Sequence, residues 1–415
     1  MASEDKRIGV YIHIPFCASK CAYCDFCSLP GRDKLMPLYQ DAVLIQLQET
    51  LPRMKDYFMD SVYFGGGTPS YYGYKRLIEM LREVKATNRL LKSSEITVEC
   101  NPDSVRRKDL SELRKEGVNR LSIGAQSAND EILRLIGRRH NWRQVVLAVK
   151  RARQAGFKNI SLDLIYGLPT QTREDWADTL SKAIALKPAH ISCYGLRLEE
   201  GTPMFDQYKD SPVIPSDDDQ ADMYLYAVDL LDRHGYYQYE ISNFARPGYE
   251  SRHNLKYWRL GDYIGFGASA HSNVGMLRYS YTRNVREYIS GVLGDKDIID
   301  EQEELTDFDR AGEYLMLGMR TCWGISREEY QEVYRSSFDP LEDMLKIFEE
   351  NGWAALDNDR WHFTPGGFLV SNVLIGALLE SQTKERFNAN PWIRDAFEEQ
   401  GQRVPLSTSA EPYMT

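Results

Sequence analysis

The chain has 415 residues, 42% of them hydrophobic and 27% charged, with a formal net charge of −10 and seven cysteines. That length asks for one large domain with an appendage, or for two to three domains, and the composition is that of a globular protein in water. The acidic balance argues against nucleic-acid binding, which needs a basic face to displace counterions. No apolar run approaches the ~18–20 residues of a membrane span, and the opening MASEDKRIG lacks a secretory leader's layout, so a cytoplasmic protein with reduced thiols is the expectation.

Along the chain, short β-rich runs alternate with amphipathic stretches. Residues 8–14 (IGVYIHI) are the first strand candidate, followed by 61–67 (SVYFGGG), 95–101 (EITVECN), 120–127 (RLSIGAQS), 160–168 (ISLDLIYGL) and 190–198 (HISCYGLRL). Between them, residues 38–51, 74–85, 107–117, 141–156 and 172–186 carry apolar residues at three- and four-residue spacing, the pattern of helices with one buried face. Several of these end at Gly, as in KEG before VNRLSIG and QAG before FKNISLD. Six such alternations predict an α/β fold, a parallel sheet with helices outside, either doubly wound or a closed or partial (β/α) barrel. In both, chemistry sits at the C-terminal ends of the strands. The unusual residues lie there: the cysteines, then GGGTPS, ECNPD, GAQS, DLIYGLP and LRLEEGTP.

Two further strand-like pieces follow at 237–245 and 263–272. From about 295 to 379 the pattern reads as helical, interrupted by one hairpin at 352–367, an order of elements like that of a small winged-helix domain. The expected division is a barrel over 1–300, a helical domain over 301–380 and a polar tail over 381–415.

Cys17, Cys21, Cys24 and Cys27 form a C-x3-C-x2-C-x2-C row within eleven residues. A structural zinc site would use two separated knuckles, because four ligands must surround the ion tetrahedrally. A dithiol redox pair would sit in a thioredoxin-like unit, which the chain does not otherwise show. An iron–sulfur cluster in a loop is the third reading. The C-x3-C-x2-C core favours it: Cys17, Cys21 and Cys24 can hold three irons of a [4Fe–4S] cube and leave the fourth open to S-adenosylmethionine. Here the sequence resembles the radical-SAM superfamily, in which an aromatic such as Tyr23 typically precedes the last core cysteine. The supporting residues agree. The glycines of GGGTPS let backbone come close to a ligand; taken alone they would be an ordinary strand-to-helix turn. Glu99, Gln126 and Asp163 lie at or near strand ends, where they can meet ribose hydroxyls or an ammonium group. Arg138 can pair with a carboxylate. Singly each would be a cap or ion pair; on successive strands they favour a cofactor site.

The motifs YIHIPFCxxxCxYCDF, YFGGGTPS, ECNP, GVNRLSIGAQSxND, GRRHN, DLIYGLPxQT, EISNFARPGYESRHNLKYW and GFGASAHS, in order from about residue 8 to 379, are similar to those of the HemW family, radical-SAM haem chaperones related to oxygen-independent coproporphyrinogen III oxidase. The resemblance implies a partial (β/α)6 TIM-like barrel with a C-terminal helical, winged-helix-like domain. It implies Cys17, Cys21 and Cys24 as cluster ligands, and Tyr11, Tyr23, Gly66, Gly67, Thr68, Glu99, Gln126, Arg138 and Asp163 as contacts of S-adenosylmethionine. It further implies haem binding through His253, Tyr257 and Trp258 of the HNxxYW signature. The partners it implies are haem and haem-accepting proteins such as respiratory enzymes, with membrane contact through the acceptors and a homodimer among the assemblies it allows. The alternative is the oxidase itself. Against that stand Phe26, at the position where the oxidase carries its fourth cysteine, and a barrel beginning within ten residues of Met1. Cys27 is expected to neighbour the cluster without binding it.

Overall fold

A computed structural model describes residues 6–389. Six strands, β1 (Lys6–Ile14), β2 (Tyr57–Gly66), β3 (Leu90–Cys100), β4 (Arg120–Gln126), β5 (Asn159–Tyr166) and β6 (His190–Gly195), pair in chain order, every pair parallel. They are the six expected strands, and the helices between them, Met36–Thr50, Tyr74–Ala86, Arg107–Lys115, Trp142–Gln154 and Arg173–Ala185, match the five amphipathic stretches. The architecture is the partial (β/α)6 barrel. Two of the helices begin where local chemistry dictates: Asn141 with Gln144, and Thr172 with Asp175, form reciprocal caps that satisfy otherwise orphaned N–H groups.

Alternation along the strands makes the site. Val10, Ile12 and Ile14, Val62 and Phe64, Ile96 and Val98, Leu121 and Ile123 join one continuous buried core with the helices. Each such side chain contributes about 1.5–3 kcal/mol by leaving water. The intervening residues, among them Tyr11, Tyr63, Glu99, Ser122 and Asp163, therefore fall on the opposite, polar face of the sheet.

The sheet extends past the six strands. Beyond β6 comes an antiparallel hairpin of β7 (Tyr237–Glu240) and β8 (Asn243–Ala245). On the other side β9 (Tyr263–Phe266) runs parallel to β1 and leads into antiparallel β10 (His271–Val274), β11 (Leu277–Tyr281) and β12 (Ile299–Glu304). Strand β12 corrects the expectation of helix from about 295. Its six residues IDEQEE are all exposed, so no apolar period marks it. Its charges suit a sheet edge that must not recruit another strand. The helix Asp217–Arg233 also escaped the sequence reading, although Ser216 caps it through the Asp219 N–H.

The chain divides into two compact units: the described residues through Tyr257 together with Gly261–Leu305, and Trp258–Leu260 with the described residues from Thr306 on. The second unit has helices Asp307–Gly318, Arg327–Tyr334 and Asp339–Glu350, and a three-stranded sheet of β13 (Ile325–Ser326), β14 (Ala354–Asp357) and β15 (Arg360–Phe363). Helix Ser371–Ala389 closes it and runs past the boundary set at 380; the remainder of that tail lies outside the described residues. Among the described residues no helix is long and apolar enough to cross a membrane.

Candidate functional site

The cysteine loop leaves β1 and is pinned on several sides. Gly67 N–H donates to the Ile14 carbonyl (2.8 Å) and Thr68 N–H to that of Phe16 (2.9 Å), so the glycine turn after β2 clasps the entry to the loop. Ala22 N–H bonds the Ile136 carbonyl at 3.2 Å, and the Ala22 carbonyl accepts from Met204 N–H at 3.0 Å. Tyr23 packs on a small core of Ile132, Leu133, Ile136, Ile165, Leu168 and Met204. At the exit, His13 Nε2 lies 2.9 Å from the Cys27 carbonyl oxygen.

Sterics explain two of the three glycines at the end of β2. A Cβ on Gly66 would meet the His13 ring at 2.4 Å, and Gly66 has φ +104°, which side chains rarely adopt. A Cβ on Gly67 would lie 2.8–3.0 Å from backbone atoms of Ile14, Pro15 and Phe16. The N–H groups of Gly66 and Gly67 are already used within the protein, on Glu99 and Ile14. The turn thus serves first to bring the cysteine loop against the barrel.

Cys17, Cys21 and Cys24 are free thiols, and each lies near the others. Burial pushes the Cys24 thiol up to about 11 and raises Cys17, while Thr68 and Arg138 act in the opposite direction on Cys17. Among the described residues no three His, Cys, Asp or Glu side chains converge as ligands of a single ion. Three neighbouring thiols on one loop, with a guanidinium beside them, are a donor set that fits an iron–sulfur cluster. Arg138 Nη1 is 3.5 Å from Cys21 Sγ, and its Nη2 donates to the Gly124 carbonyl (2.8 Å) and Asn101 Oδ1 (2.5 Å). Its Nε is buried without a partner. Cys27 stands apart from this arrangement, its thiol donating to the Arg283 carbonyl at 3.3 Å.

Deeper in the barrel, Glu99 accepts from Tyr63 Oη (2.8 Å) and Gly66 N–H (3.1 Å). Burial raises its carboxyl to about 7, Asp163 adds to the rise, and the two hydrogen bonds and Arg120 oppose it. Asp163 is held by three hydroxyls, those of Ser122, Ser161 and Ser192. Gln126 closes β4 at φ +65°, a strained setting for a residue with a side chain. Tyr11 stacks near Tyr63 at 6.2 Å between ring centroids and turns its hydroxyl to His13 Nδ1 at 3.0 Å. Most of the residues expected to contact the cofactor therefore sit at the C-terminal ends of β1 to β5 or in the loops just beyond.

The HNxxYW signature packs against the barrel. It forms the short helix Arg252–Trp258, whose His253 enters the barrel one layer below Tyr11 and Tyr63. His253 is 1% exposed, with Nδ1 2.9 Å from Ser61 Oγ, Nε2 2.9 Å from Tyr257 Oη and its N–H on Glu95. Burial lowers its pKa to about 3. Lys256 fixes the same helix through an ion pair to Asp60 at 2.8 Å. Trp258 is 5% exposed and belongs to the second unit. Both His253 ring nitrogens are thus engaged within the barrel, and the Trp258 side chain is buried. Missed by the sequence reading were Tyr63, Asn101 and the serines around Asp163. The signal that could have found them is strand alternation, which puts each on the face shared with Glu99.

The fold and the cysteine loop define a radical SAM protein. Residues 11–183 match the family model for the radical SAM superfamily, and residues 305–370 match that for the HemN C-terminal domain. Proteins called heme chaperone HemW are 35% identical in Bacillus subtilis, across 89% of this chain and 99% of that one, and 34% identical in Escherichia coli, across 90% and 98%. The chain belongs to the HemW family. The mitochondrial radical S-adenosyl methionine domain-containing protein 1 of Bos taurus is 31% identical over 91% of this chain and 88% of its own. In structure, coproporphyrinogen III oxidase (HemN) of Escherichia coli superposes with a TM-score of 0.79 over 91% of both chains at 24% identity, which shows the shared fold.

Proposed function

We propose that this chain is a cytoplasmic haem chaperone that holds a [4Fe–4S] cluster and S-adenosylmethionine, binds haem and passes it to acceptor proteins such as respiratory enzymes. The observation that carries the reading is the likeness to heme chaperones over nearly the full length of both chains. Cys17, Cys21 and Cys24 would hold the cluster, each exchanging its proton for iron, which makes loading easier as pH rises. Bound there, the cluster supplies an open iron for the cofactor and one-electron chemistry. Arg138 offers its guanidinium to the cofactor carboxylate. Glu99, whose burial raises its carboxyl to about 7, ionises more fully when a cationic group arrives beside it. Gln126 and Asp163 serve hydroxyls, while Tyr11, Tyr23, Gly66, Gly67 and Thr68 shape the walls.

For haem, His253, Tyr257 and Trp258 are the proposed contacts in a form whose Arg252–Trp258 helix has opened. His253 must then exchange its bond to Tyr257 for iron. A homodimer and membrane contact through the acceptors belong to the same proposal. The test pairs haem titration with iron analysis after anaerobic reconstitution. Haem is expected to shift its Soret band on the parent protein and less on H253A; C24S is expected to hold no cluster, and C27S a full one. An unchanged Soret band in H253A would assign the helix to the barrel floor alone, and no shift with the parent would refute haem binding. Protoporphyrinogen formed from coproporphyrinogen III by the reconstituted protein would replace this reading by the oxidase.

A further inference from the structure

Asn101 stands at the end of β3 and joins two of the cysteines. Its Oδ1 accepts from Arg138 Nη2 at 2.5 Å, and Arg138 Nη1 reaches Cys21 Sγ at 3.5 Å. Its Nδ2 donates to Thr68 Oγ1 at 3.4 Å, and Thr68 Oγ1 lies 3.4 Å from Cys17 Sγ. The side-chain path therefore runs Cys17, Thr68, Asn101, Arg138, Cys21, across residues that follow β1, β2, β3 and β4. The Asn101 amide closes it from both ends. One end of the group must accept from a guanidinium while the other donates to a hydroxyl, whose own proton is then free for a thiolate sulfur.

The surroundings hold Asn101 in place. Its backbone N–H donates to Ser70 Oγ at 3.0 Å, Ser70 and Ser104 hydroxyls are 2.5 Å apart, and the Ser104 N–H returns to the Asn101 carbonyl at 3.0 Å. Gly124 makes room for the guanidinium: a Cβ there would come 3.2 Å from Arg138 Nη2 and 2.8 Å from Gln126 Nε2.

We infer that Asn101 is a positioning residue that orients Arg138 on Cys21 and Thr68 on Cys17, and so sets both the reduction potential of the cluster and the affinity for S-adenosylmethionine. The inference rests on the cluster and cofactor reading above. A guanidinium and a hydroxyl directed at cluster sulfurs stabilise the more negative, reduced form, since hydrogen bonds and charge near the sulfurs set such potentials. The same guanidinium, once released, loses its aim at the cofactor carboxylate.

The experiment compares the anaerobically reconstituted parent with N101A and N101D, reading iron content, the midpoint potential by electron paramagnetic resonance, and the dissociation constant for S-adenosylmethionine. N101A is expected to keep its iron, to show a more negative potential and to bind the cofactor about tenfold more weakly, the size of effect usual for groups that orient a ligand. N101D keeps the acceptor for Arg138 but loses the donor to Thr68 and adds negative charge. It is expected to bind the cofactor nearly as the parent does, with the potential again more negative. Parental potential and affinity in N101A would overturn the inference, as would parental potential in N101D. If N101A takes up no iron, N101D decides, and loss of iron from that isosteric variant would also overturn it. A parent that binds neither iron nor cofactor would refute the underlying reading instead.

Discussion

At the scale of single residues, the barrel carries a carboxyl whose charge state its sequence position does not reveal. Glu99 was legible as an acid at a strand end, but its elevated pKa comes from burial inside the barrel and from the nearby Asp163, against the opposing hydrogen bond from Tyr63. In the unfolded chain a glutamate releases its proton near pH ~4.3. In the fold Glu99 holds it to about 7. The unfolded state thus binds fewer protons between these values, and stability falls as pH rises through that window. E99Q should therefore melt at a higher temperature than the cofactor-free parent at pH 8, by about 1–2 kcal/mol in stability after allowing for partial solvation. The difference should vanish at pH 4. Thermal melts at both pH values check this, and a parent more stable than E99Q at pH 8 would contradict it. On the proposed function the same variant should bind S-adenosylmethionine more weakly, because this carboxylate would then face a cationic group of the cofactor.

At the scale of elements, the glycine turn and the last helix give opposite expectations for one substitution. Gly67 packs on backbone, which cannot yield as a flexible side chain can. G67A is expected to lose about 1–3 kcal/mol of stability, the range for overpacking, and to take up less iron because the turn clasps the cysteine loop. Gly376, within helix Ser371–Ala389, has open space around it. G376A is expected to gain about 0.5–1 kcal/mol from reduced backbone freedom. Denaturant midpoints for the two variants test both signs together. The elements themselves were readable to differing degrees. Helices with an apolar period and a polar cap, such as Trp142–Gln154, announced themselves. Strand β12 did not, since a charged edge strand carries no alternation and forms only because β11 offers a hydrogen-bonding partner.

At the scale of the whole molecule, cofactor binding should appear as stability of the first unit. A ligand present at a hundredfold excess over its dissociation constant adds about 2.7 kcal/mol. S-adenosylmethionine is therefore expected to raise the melting temperature of cluster-loaded protein, and to do much less for protein stripped of iron. Equal shifts in both forms, followed by scanning calorimetry, would argue against an iron-dependent cofactor site.

The sequence by itself determined the six strand–helix alternations, the C-x3-C-x2-C row and the run of motifs that place the chain in its family. These are local patterns, with spacings of a few residues that survive without knowledge of the fold. Only the tertiary structure decided that Arg138 rests on Cys21, that Asn101, 37 residues from Arg138 in sequence, links it to Thr68, and that His253, 192 residues from Ser61, lies closed beneath the tyrosines. Those contacts depend on the register in which strands far apart in sequence lie side by side. Register is fixed by the packing of the barrel as a whole and is written in no single stretch of the chain.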